Sequence, residues 1–98
     1  MTAKGIGDTS IVTVSKSQLS VAGPDVTVIL DPASSTYFSL DGVGLRVWDL
    51  IQEPRRVSDV CELLLDEFEV LPHVMMADLK VLLGELDAAG LIDVLDRV

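Results

Sequence analysis

Apolar and polar side chains alternate over residues 11–15 (Ile-Val-Thr-Val-Ser) and again over 19–21 (Leu-Ser-Val), before the turn signal Gly23-Pro24-Asp25. A period of two is the pattern of a half-buried strand, so one or two short strands are expected in this region. A β-branched run over 26–30 (Val-Thr-Val-Ile-Leu) stops at Asp31-Pro32. Ala33-Ser34-Ser35 then connects it to the β-favouring stretch 36–40, Thr-Tyr-Phe-Ser-Leu. These two runs predict a hairpin. Its loop lacks the Asn-Gly or Asp-Gly pair of a two-residue turn, which leaves the strand register open.

After Leu40 the period changes. Asp41 is a residue type whose side chain caps helices, and Val43, Val47, Leu50 and Ile51 recur at helical spacing, predicting a helix over 42–52 with Pro54 preventing its continuation. Arg55 and Arg56 fall in the connection. A second helix is expected from Ser58, whose hydroxyl can cap it, with Asp59 favoured by the helix dipole and Val60, Cys61, Leu64 and Phe68 on one face. Pro72 suits the first turn of a third helix over 73–89, and Gly90 is its stop. At 100° per residue, Met75, Leu79, Leu82, Leu86 and Ala89 form the stripe expected to face the core. Met76 and Leu83 flank it on one side; Val74 and Val81 lie on the other, beyond Asp78 and Glu85. This apolar arc is wider than one core face needs. The tail 91–95 either adds a strand or packs back, and residues 1–10, Gly-containing and without periodicity, read as a flexible arm preceding a domain over 11–98. The order of elements predicts an α+β, winged helix-turn-helix-like fold, a small antiparallel N-terminal sheet followed by three helices.

Composition narrows what such a domain can do. A chain of 98 residues builds a single core, and 49% apolar residues with only 4% aromatics mean that Leu and Val fill it. No apolar run is long enough to span a membrane and the first residues lack a secretory signal, so a soluble cytoplasmic protein is expected. Cys61 and His73 are the only residues of their kinds, which excludes an internal disulfide and a His/Cys metal cluster. Cys61 lies on the apolar face of its helix and reads as a small hydrophobe, and His73 stands at a helix start without triad partners. No glycine-rich phosphate loop is present. A non-enzymatic protein without cofactor is expected. The formal charge of −9 disfavours nucleic acid despite the fold, because the third helix offers Lys80, no Arg, and the acidic Asp78, Glu85 and Asp87. The same charge suits basic peptides or proteins, although its commoner meaning is simple solubility.

A mode of recognition that uses apolar pockets and backbone pairing fits this inventory. An extended peptide can add a strand to the edge formed by Thr36, Tyr37, Phe38, Ser39 and Leu40 and lay its side chains against Val74, Met75, Asp78, Leu79 and Leu82 of the third helix. Met75 supplies a pliable wall and Asp78 an acidic acceptor. Phe38, Leu40, Met75, Leu79 and Leu82 equally read as plain core. Tyr37 and Phe38 point to opposite faces of a regular strand, so only one of them enters such a groove. An exposed strand edge also allows a homodimer through 36–40.

The run Thr-Tyr-Phe-Ser-Leu-Asp-Gly-Val-Gly-Leu-Arg-Val-Trp-Asp-Leu-Ile from Thr36, followed by Glu53-Pro54, Asp78-Leu79, Leu82-Leu83, Leu86 and Gly90-Leu91, resembles the PqqD-like proteins, precursor-recognition domains of ribosomally made, modified peptides. The resemblance covers roughly 26–94, and its form is most similar to the stand-alone proteins of lasso-peptide clusters. Ser35 replaces a Gly common in the hairpin turn, Asp41 stands where Asn is frequent, and Met75 takes a place often held by Cys. The resemblance implies that the leader segment of a precursor peptide pairs with the 36–40 strand beside the third helix. It is then presented to a separate enzyme, in lasso-type systems one similar to a cysteine protease. Two alternatives stay open: a peptide chaperone for a radical-SAM modifying enzyme, and a small winged-helix transcriptional regulator.

Overall fold

A computed structural model describes residues 6–16, 19–22, 27–31 and 36–95. Among the described residues the elements in order are β1 (Ile11–Val14), β2 (Leu19–Ala22), β3 (Thr27–Asp31), β4 (Thr36–Leu40), α1 (Gly42–Leu50), β5 (Arg55–Arg56), α2 (Val57–Glu67), α3 (Pro72–Ala88) and β6 (Ile92–Val94). The fold is α+β with three helices, as the pattern predicts. The strands, however, divide into two antiparallel three-stranded sheets, β2-β3-β4 and β5-β1-β6. Strand β1 does not join the N-terminal hairpin. It pairs instead with the tail, Val12 opposite Val94 and Val14 opposite Ile92, and with Arg55–Arg56 on its other side. Arg55 and Arg56 are thus a short strand rather than plain connection, and the tail is a strand. Val12, Leu91 and Ile92 are buried by this arrangement. Local periodicity reports which face a strand buries and carries no information about a partner some eighty residues away.

In the other sheet the open register of the hairpin resolves. Thr27 stands opposite Leu40, Val28 opposite Ser39 and Ile29 opposite Phe38. The connecting residues 32–35, and with them the turn type, lie outside the described residues, as does the Gly23-Pro24-Asp25 signal. Strand β4 closes the order β2-β3-β4, so one of its edges has no strand partner among the described residues.

One core joins both sheets to the helices. Trp48, Val47 and Ile51 from the α1 segment, Val60 and Leu64 from α2, and Met75, Leu79, Leu83 and Leu86 from α3 are all buried together with Ile29 and Leu40. Burying side chains of this size stabilises by roughly 1.5–3 kcal/mol each. Helix α3 packs on α2. In that packing Leu83 takes the central position expected of Leu82, which sits half-buried at the margin. Not all of the wide apolar arc is covered, for Val81 remains 64% exposed.

The helix starts depart from the capping expected of their side chains. Asp41 precedes α1 without a side-chain capping bond; its backbone carbonyl accepts from the Leu45 amide at 3.2 Å, and Gly42 makes the turn at φ +52°, where a side chain is strained. Helix α2 begins at Val57, and Ser58 does not cap it. The amides of Val57 and Ser58 donate to the carbonyls of Ser10 and Asp8, at 2.9 and 2.8 Å. Residues 8 and 10, within the stretch expected to be an arm, are thereby bonded to the start of α2. Ile6 packs against the core and Asp8 pairs with Lys80, while 1–5 lie outside the described residues. Helix α3 opens on Pro72 and gives way at Gly90, whose φ of +75° is the left-handed stop expected there. Among the described residues no helix is long and apolar enough to cross a membrane.

Candidate functional site

Strand β4 passes into α1 through only Asp41 before the helical run begins at Gly42, so the end of the strand and the first turn of the helix stay side by side. Helix α3 lies across from them. Between the three elements opens a cavity of about 320 Å³. Its floor is core: Leu40, Val47, Met75 and Leu79 are buried side chains that still present atoms to the cavity. Val43, Gly44, Val70 and Leu82 form its sides. Ser39, Asp41 and Asp78, all exposed, stand at its mouth.

Gly44 keeps this space open. A Cβ there would meet Leu40 Cδ2 at 3.5 Å and Leu82 Cδ2 at 3.8 Å, which are ordinary contacts, so a methyl fits and a longer side chain would occupy the cavity itself. The mouth is acidic. Neither the Asp41 nor the Asp78 carboxylate has a hydrogen-bond or ion-pair partner among the described residues, and no basic residue lines the cavity. Arg46, one turn into α1, is engaged elsewhere: its Nε donates to Glu67 Oε1 and Oε2 at 2.8 and 2.9 Å, tying α1 to α2. Arg55 Nε donates to the Leu50 carbonyl at 2.6 Å. Lys80, the lysine of α3, pairs with Asp8.

The positions expected to bind a peptide therefore separate. Ser39, Leu40, Met75, Asp78, Leu79 and Leu82 converge on the cavity. Phe38 does not line it; half-buried, it packs against the core opposite the buried Ile29. Val74 is 38% exposed on α3 and also stands outside the lining. Thr36 and Tyr37 have their backbone in β4, and their side chains lie outside the described residues. The lining also includes Asp41, Val43, Gly44, Val47 and Val70, which sequence reasoning assigned to caps, core or connection. A signal was present: Val43 and Val47 sit one turn apart on the helix that leaves the edge strand, and the glycine between them offers nothing to a core.

The described lining is mainly aliphatic, and its polar side chains are Ser39, Asp41 and Asp78 at the mouth. Cys61 is buried on α2 away from it, where burial pushes the thiol pKa up, the nearby Asp8 and Glu62 adding to the effect. Among the described residues no group of three His, Cys, Asp or Glu side chains is placed to hold a metal ion.

Comparison with known proteins gives two matches. A family model described as Coenzyme PQQ synthesis protein D (PqqD) matches residues 27–92, a span that holds β3, β4 and all three helices. A solved structure described as TbiB1 in complex with the TbiA(beta) leader peptide superposes with a TM-score of 0.77 at 30% identity, covering 83% of this chain and 94% of that one. No curated protein matches the chain by sequence.

Proposed function

The chain belongs to the PqqD family, and from that premise we propose that it binds the leader segment of a ribosomally synthesised precursor peptide as a strand added to the free edge of β4. The observation that carries the reading is the edge of β4 that has no strand partner among the described residues, beside an apolar cavity whose far wall is α3. Strand addition supplies main-chain hydrogen bonds irrespective of sequence, and pockets beside the edge read every second side chain. The similar protein TbiB1 was solved with a leader peptide, which supports the same class of ligand for this chain. Binding surfaces in this reading are Thr36, Tyr37, Ser39 and Leu40 on the strand side, and Met75, Asp78, Leu79 and Leu82, bordered by Val74, on the helix side. Phe38 anchors β4 from beneath.

The chain contributes binding and positioning and no bond chemistry. Holding the leader raises the effective concentration of the precursor at a separate enzyme. In this reading that enzyme is a cysteine-protease-like leader peptidase of lasso-peptide biosynthesis. A second reading is favoured by the description of the family itself: the same groove serving a radical-SAM modifying enzyme in the manner of the quinone-cofactor branch. Titrating a fluorescein-labelled leader, taken from a precursor gene neighbouring this one, tests the shared core of both readings. Saturable binding below tens of micromolar supports it, and its absence with every neighbouring leader contradicts it. Co-purification of the enzyme with the chain and its leader separates the protease from the radical-SAM partner.

A further inference from the structure

The groove has a chemical asymmetry that strand addition alone does not require. Its floor and sides are aliphatic, yet its mouth carries Asp41 at the end of β4 and Asp78 on α3, both exposed and neither neutralised by a partner among the described residues. The cationic side chains nearest in sequence are committed to Glu67, Asp8 and the Leu50 carbonyl. In a strand lying against β4, residues i and i+2 face the same way, about 6.6 Å apart. A bulky apolar side chain seated in the cavity therefore puts its second neighbour, on one side or the other, at the acidic mouth. A lysine or arginine there lays its methylene stem along the apolar wall and keeps its charged head in water beside a carboxylate. An acidic residue at that position meets two like charges on a chain of net charge −9.

We infer that the segment this groove selects is a bulky apolar residue with a lysine or arginine two positions away, and that Asp41 and Asp78 are its specificity determinants. The inference rests on the peptide-binding reading above and specifies the ligand further. It also gives the acidity of this face a use that solubility does not need.

The test is a selection from a random twelve-residue peptide display library, run in parallel on the native chain and on an Asp41→Asn/Asp78→Asn variant. Both side chains are exposed and Asp41 makes no capping bond, so the variant retains the fold, which circular dichroism checks. The native chain is expected to enrich peptides with Lys or Arg two positions from a large apolar residue, and the variant to lose that enrichment. A labelled peptide from the native pool should bind the variant about three- to fivefold more weakly, as expected for exposed charge pairs. Replacing its basic residue by Gln should cost the native chain the same factor and the variant nothing. Peptides that bind the groove, shown by amide shifts at Ser39 and Val43, without basic enrichment and with equal affinity for both chains would overturn this inference and leave the peptide-binding reading standing. Failure of any peptide to perturb those amides would overturn both.

Discussion

Gly44 is the residue at which stability and function pull apart. It lies in the first turn of α1 outside the left-handed region, so alanine there suits the helix better by up to about 1 kcal/mol. Its methyl would meet Leu40 and Leu82 at ordinary contact distance. Gly44→Ala is therefore expected to raise the Tm by roughly 4–8 °C in a thermal melt while weakening leader binding, and Gly44→Leu to abolish binding by filling the cavity. Met75 and Leu79 behave differently. Each is 2% exposed, so Met75→Glu or Leu79→Arg places an unpaired charge in the core, and fold and binding are expected to disappear together, costing about 3 kcal/mol or more in denaturant titrations. Leu82, half-buried at the side of the cavity, is the better probe of the helix wall. Cys61 gives a separate check on packing: buried and with its thiol pKa pushed up by that burial, it should react with a thiol reagent more slowly in the native chain than in denaturant.

At the scale of elements, the start of α2 shows how a local rule is displaced by a distant one. Ser58 followed by Asp59 has the form of a capped helix start, yet the helix amides bond to the carbonyls of Ser10 and Asp8. Ser58→Ala is accordingly expected to change stability by less than about 0.5 kcal/mol. Removing residues 1–10 should lower it by about 1–3 kcal/mol, through two orphaned amides, the loss of Ile6 from the core and the loss of Asp8 from Lys80. The helices and β4 are legible in the sequence because their signals are local: period, Pro72 at a start, Gly90 at a stop, an aromatic and β-branched run. The partition of the strands is not legible, since the alternation Val12-Thr13-Val14 reads identically whether the partner of β1 is β2 or β6. The cavity was half legible. Met75, Asp78, Leu79 and Leu82 follow from helical spacing, whereas the contribution of Val43, Gly44 and Val70 depends on the angle at which α1 leaves β4, which no periodicity encodes.

Across the whole molecule, charge and topology act on the same surface. A winged-helix arrangement invites a nucleic-acid reading, but α3 carries its single lysine in a pair with Asp8 and presents Asp78 and Glu85 to solvent, so no salt-dependent DNA binding is expected in a gel-shift assay. The free edge of β4 is open to a peptide strand or to a second copy of the chain. A second copy would occupy the same edge as the leader, so added leader is expected to dissociate any such dimer, as read by light scattering. The most direct measurement is backbone amide exchange across β4 with and without saturating leader peptide. Slowed exchange confined to β4, together with shifts of the Met75 and Leu82 methyl groups, is expected if the leader adds as a strand beside α3. Unchanged β4 amides with protection appearing at β2 or β6 instead would contradict it.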